Sequence, residues 1–123
     1  MTALEKLEIA VKALDDKKAR ELEAVKIGDL TIIAEYFVMA TATSSTHVRA
    51  LAEEVEDVLS KAGVEPDHIE GRSTGWVLLD YHDLVVHVFD KKSRDFYQLE
   101  RVWNDGEPVD LSAYIDTQHQ GEL

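Results

Sequence analysis

Gly75-Trp76-Val77-Leu78-Leu79-Asp80-Tyr81-His82-Asp83-Leu84-Val85-Val86-His87-Val88-Phe89 decides the fold class. Two runs rich in β-branched and aromatic residues flank His82-Asp83, and Asp and His are among the few non-glycine residues that tolerate a positive φ. The stretch therefore predicts a β-hairpin, with antiparallel strands meeting at that turn. If the loop holds an even number of residues, Val77, Leu79, Leu84, Val86 and Val88 share one uniformly apolar face, suited to lie under helices. The opposite face then holds Trp76, Leu78, Asp80, Val85, His87 and Phe89. That mixture of aromatic anchors with a carboxylate and an imidazole fits a protein-binding surface better than a dry core. A three-residue loop would shift the second strand and spoil the division.

Upstream, Tyr36-Phe37-Val38-Met39-Ala40-Thr41 is a nearly continuous apolar run, the pattern of a strand covered on both faces. Thr43, Ser44, Ser45 and Thr46 then offer side-chain oxygens to the free amides of a helix start. The helix that follows carries Val48, Leu51, Ala52, Val55, Leu59 and Ala62 on one face, with Arg49, Glu53, Glu54, Glu56 and Asp57 on the other, until Gly63 stops it. Pro66 and Gly71 bracket a short segment around His68-Ile69. A strand-helix-strand unit feeding a hairpin makes part of the sheet parallel, with a right-handed crossover, and part antiparallel. The expected fold class is α/β, a single domain with a mixed β-sheet flanked by helices.

Toward the N-terminus, Leu4, Leu7, Val11 and Leu14 form one helical stripe, with Thr2 as N-cap and Asp15-Asp16-Lys17-Lys18 as its end. Leu22 to Ile27 runs into Gly28-Asp29 and reads as a short, peripheral strand. Toward the C-terminus a helix is expected from about Ser93 to Asn104, with Phe96, Leu99 and Trp103 on its inner face. The domain is expected to span residues 1–111 and to be followed by a disordered tail, 112–123. No Lys or Arg follows Arg101, whereas Asp105, Glu107, Asp110, Asp116 and Glu122 are all acidic.

The chain has 123 residues, 45% of them hydrophobic, enough for one domain with a core of its own. It has no cysteine, which excludes a disulfide scaffold, a thiolate zinc site and a cysteine nucleophile. A formal net charge of −12 has the wrong sign for a protein that binds by neutralising phosphates, so little or no direct nucleic-acid binding is expected. The acidity fits either simple solubility or a basic partner surface. No apolar run approaches the roughly 20 residues of a membrane span, and the N-terminus lacks the basic-then-apolar layout of a signal peptide. A cytoplasmic protein without membrane association is the expectation.

Three patterns could carry chemistry. The turn from Ala42 to Thr46 lies where anions are often held, but it has neither the glycine spacing nor the lysine of a phosphate loop, and helix capping accounts for it. His82, Asp83 and His87 suggest a metal cluster, yet their spacing matches no known ligand geometry, and no metal or cofactor is expected. Asp80 and Asp83 resemble the paired carboxylates that hold magnesium in nucleotidyl transfer, without the phosphate clamp that would give them a nucleotide. No serine, histidine and carboxylate set has a hydrolase signature.

Several segments together, in this order and spacing, carry a resemblance. They are Glu35-Tyr36-Phe37-Val38, the turn from Thr43 to Val48, Gly75 to Tyr81, Val86-His87-Val88-Phe89, and Phe96-Tyr97-Gln98-Leu99-Glu100-Arg101-Val102-Trp103. The sequence closely resembles the ribosomal silencing factor family, RsfS, also called Iojap, from the first helix to about Leu111. Glu35 stands where the family pattern has Asp, Ala42 where it often has Gly, and His82 where the turn often has Gly.

The resemblance implies a nucleotidyltransferase-like fold without the catalytic residues, and no catalysed reaction. It implies binding to the large ribosomal subunit through the ribosomal protein L-fourteen, sterically blocking the joining of the small subunit and repressing translation when nutrients are limiting. Large-subunit assembly is the neighbouring role, and a magnesium-dependent nucleotidyltransferase-like enzyme is the alternative from a different class. A homodimer of the free protein is a further expectation. Trp76, Leu78, Asp80 and Tyr81 are expected at the centre of the contact, with Asp83 and His87 beside them. Asp80, Asp83 and Glu100 are expected to pair with Lys or Arg of the ribosomal protein.

Overall fold

The computed structural model describes residues 1–27, 34–71, 74–97 and 106–115. The elements are α1 (Ala3–Asp16), β1 (Arg20–Lys26), β2 (Tyr36–Ala42), α2 (Ser45–Lys61), β3 (His68–Glu70), β4 (Trp76–Asp80), β5 (Leu84–Asp90), α3 (Lys91–Tyr97) and β6 (Glu107–Pro108). The strands form one sheet in the order β3-β4-β5-β2-β1-β6. β2 and β5 are parallel and the other neighbours are antiparallel, so the sheet is mixed, as expected.

Both long helices begin at the caps expected of them. In α1, Thr2 and Glu5 form a reciprocal capping box: the Glu5 amide donates to Thr2 Oγ1 (3.1 Å) and the Thr2 amide to Glu5 Oε1 (2.9 Å). In α2, Ser44 accepts from the His47 amide, and Gly63, at φ 86°, follows the last turn. Leu7, Val11 and Leu14 of α1 and Val48, Leu51, Val55 and Leu59 of α2 pack on Val38, Ala40, Val77, Leu79, Val86 and Val88 of the sheet. This is the main core, and it uses the hairpin face whose alternation is uniformly apolar.

β4 and β5 pair Trp76 with Phe89, Leu78 with His87 and Asp80 with Val85. The Tyr81 amide donates to the Leu84 carbonyl at 2.8 Å, which leaves a two-residue loop, His82-Asp83. The even-numbered alternative is therefore the observed one. The Asp83 amide bonds the Tyr81 carbonyl at 3.0 Å across His82, whose φ is 75°. This is γ-turn geometry, strained for a residue with a Cβ.

Two expectations change at the ends of the sheet. β1 is not the edge strand, because β6 pairs with it through Val25-Pro108 and Lys26-Glu107. Nothing in Glu107-Pro108 reads as a strand, although proline is tolerated at a sheet edge. The C-terminal helix begins at Lys91, where the Asp90 carboxylate accepts from the Ser93 amide at 2.7 Å. Phe96 is 78% exposed rather than inward, and among the described side chains of α3 the buried one is Arg94, 1% exposed; Leu99 and Trp103 lie outside the described residues. Tyr114 and Ile115 rest against the main core, and the Tyr114 hydroxyl donates to Glu8 at 3.1 Å.

Candidate protein-binding surface

Sheet pairing places the outer face of the hairpin beside the short edge strand β3. Glu70 lies across from Leu78 and His68 across from Asp80. Trp76, Leu78 and Asp80 are half-buried, while His68 and Glu70 are exposed. His68 Nδ1 is 3.5 Å from Asp80 Oδ2, and its Nε2 is 3.5 Å from Glu70 Oε1. The result is a small apolar centre, Trp76 and Leu78, bordered by carboxylates and an imidazole. β3 is too short to have been read as part of a site, and His68 and Glu70 become visible only through its pairing with β4.

The β5 half of the same face is covered. Val85, His87 and Phe89 are buried, because β5 lies between β4 and β2 and carries Phe37 and α3 above it. Arg94 of α3 donates to the Glu21 carbonyl (2.6 Å) and to Thr41 Oγ1 (2.9 Å), and its guanidinium lies 5.8 Å from the Phe89 ring centroid. Glu21 reaches this position at φ 47°, within an irregularity of β1. The start of α3 also presses against Gly75, where an added Cβ would come within 2.5 Å of Asp90 Oδ2.

His87 is 3% exposed and lies beneath Trp76. Its Nδ1 accepts the Trp76 indole N–H at 3.2 Å. Its ring lies 5.0 Å from that of Phe37 and 6.1 Å from that of Phe89, between centroids, and Trp76 stacks on Phe89 at 5.9 Å. Burial pushes the imidazole down to a pKa of about 4, so it is neutral near pH 7.

Tyr81 is 2% exposed and belongs to the main core on the helix side of the sheet, because it continues the inward series of Val77 and Leu79. Asp83 is already paired: Lys6 Nζ of α1 lies 2.8 Å from its carboxylate, with the lysine and aspartate side chains 15% and 31% exposed. The Asp83 carbonyl accepts from the amides of Glu35 (2.9 Å) and Tyr36 (3.1 Å), so this residue ties the turn to α1 and β2. Asp80 accepts the His82 amide at 2.8 Å through Oδ1. Glu100 lies outside the described residues.

The other patterns separate in space. His87 is buried under Trp76, His82 is exposed at the tip of the turn, and Asp83 is held by Lys6, so the three do not converge. Among the described residues no group of three or more His, Asp or Glu is placed to hold a metal ion. At the start of α2, Thr43 donates its amide to His47 Nδ1 at 2.9 Å, and His47 Nε2 lies 2.7 Å from the Lys17 carbonyl. The polar groups of that turn thus serve the cap and its link to the end of α1. Among the described residues, no helix is long and apolar enough to cross a membrane.

Comparison with known proteins agrees with this architecture. The family profile described as "Ribosomal silencing factor during starvation" matches residues 1–122. The ribosomal silencing factor RsfS of Halalkalibacterium halodurans is 39% identical over 116 residues, covering 94% of this chain and 99% of that protein. The Bacillus subtilis protein of the same name is 38% identical, covering 85% of this chain and 90% of its own. A crystal structure of a Chromobacterium violaceum protein superposes with a TM-score of 0.83 at 35% identity, covering 85% of this chain and 88% of that one. With a profile match along almost the whole chain and relatives of matching length, this protein belongs to the ribosomal silencing factor family.

Proposed function

We propose that this chain binds the large ribosomal subunit in the cytoplasm through the ribosomal protein L-fourteen, and that the bound factor sterically blocks docking of the small subunit when nutrients are scarce. The observation that carries this reading is the family match over residues 1–122. The surface formed by Trp76, Leu78, Asp80, His68 and Glu70 supports it, because interfaces pair a central aromatic anchor with a polar rim. A net charge of −12 adds steering toward a basic ribosomal protein and away from bare RNA.

Trp76→Glu is the direct test. It places a carboxylate at the centre of the contact and should weaken binding by at least ~2 kcal/mol. Half-burial of Trp76 means that the fold should survive. Co-sedimentation with isolated large subunits, run beside circular dichroism melts, separates the effects. Lost sedimentation with a cooperative melt is the expected result; unchanged sedimentation would remove Trp76 from the interface.

A further inference from the structure

Trp76 Nε1 can only donate, so the 3.2 Å bond to His87 requires an unprotonated Nδ1 and places the imidazole proton on Nε2. That Nε2 is buried and has no hydrogen-bond partner among the described residues. Around the ring lie Phe37, Phe89 and the Trp76 indole. A polar ring in such a nest is disfavoured against leucine or phenylalanine of similar bulk unless one of its nitrogens is needed. Here the needed nitrogen is Nδ1. Within this cluster, Trp76 is the half-buried member and Phe37, His87 and Phe89 are buried.

We infer that His87 is a positioning residue: its Nδ1 holds the Trp76 indole in the one orientation in which the tryptophan meets its partner. Stacking on Phe89 alone leaves the indole free to flip about its side-chain torsions while keeping contact; the directional N–H bond selects one rotamer. A preorganised anchor loses less rotamer freedom on binding, so the bond contributes to affinity without touching the partner. The binding half of this inference rests on the reading of Trp76 as an interface anchor, whereas the indole bond can be measured in the free protein.

The test compares His87→Leu, which keeps bulk and removes the acceptor, with His87→Asn, whose Oδ1 can stand near the place of Nδ1. The indole N–H of Trp76, assigned against Trp76→Phe, is followed in nitrogen-15-labelled free protein. Its hydrogen exchange should be about tenfold faster in His87→Leu and return toward wild type in His87→Asn. Affinity for purified L-fourteen should fall and recover in the same order. If His87→Leu fails to fold, His87→Phe makes the same comparison.

Unchanged indole exchange on loss of the acceptor overturns the inference. So does wild-type affinity in a variant whose indole is released while Trp76→Glu abolishes binding. If neither Trp76→Glu nor His87→Leu alters binding although the indole is released, the interface reading fails while the indole bond is upheld.

Discussion

Mild acid should unfold this protein partly through one side chain. The His87 pKa falls from 6.5 to about 4 on folding because burial disfavours the imidazolium. Between these values the unfolded chain binds more protons than the folded one, so stability rises with pH across this window and falls on acidification. The contribution is full above pH 6.5 and is lost progressively toward pH 4. At pH 5 the unfolded imidazole is almost wholly charged and the folded one almost wholly neutral, which corresponds to a cost of about 2 kcal/mol. Protonation at Nδ1 would also break the indole bond. Urea unfolding of wild type and His87→Asn at pH 7 and pH 5 isolates this effect, since every other titrating group is common to both proteins. These include Glu5 and Asp110, whose carboxyl pKa values are lowered mainly by hydrogen bonds from backbone amides. Wild type should lose about 2 kcal/mol more than the variant between these pH values. Equal losses would refute the reasoning.

Other outcomes follow from the turn and from α3. Asp83→Asn should lower stability by about 1 kcal/mol, because it weakens a partly buried ion pair with Lys6, and surface plasmon resonance should show unchanged affinity for L-fourteen. Reduced affinity with an unchanged melt would return Asp83 to the interface. Arg94→Met should cost about 3 kcal/mol in chemical denaturation, since it strips a buried cation from the Glu21 carbonyl and Thr41. Arg94→Lys should not restore this, because one ammonium cannot reproduce the planar fork. His82→Gly should raise stability by about 1 kcal/mol, by relieving the φ of 75°, and hence the melting temperature by a few degrees. An unchanged or lower melting temperature would show that the turn is unstrained.

The central architecture was legible because period-2 alternation marks the hairpin and period-3.6 apolar spacing marks α1 and α2. The same alternation extends to Tyr81, which continues Val77 and Leu79 and is buried on the helix side of the sheet. Lys6 and Asp83 lie 77 residues apart in sequence, and a pairing set by tertiary packing has no local signature. The burial of Arg94 depends on the β1 irregularity, which turns the Glu21 carbonyl toward it. β6 is two residues long, with neither β-propensity nor alternation. The burial of His87 depends on β5 being flanked by β4 and β2, a matter of strand order that no single strand encodes.

Order of addition in subunit joining tests the central claim most directly. Isolated large subunits are incubated with excess protein, small subunits are then added, and the products are resolved on a sucrose gradient. The steric account predicts a depleted joined-ribosome peak, with the protein migrating with free large subunits, and little effect when it is added after joining. An undiminished joined-ribosome peak, with the protein bound to the large subunits beforehand, would contradict it.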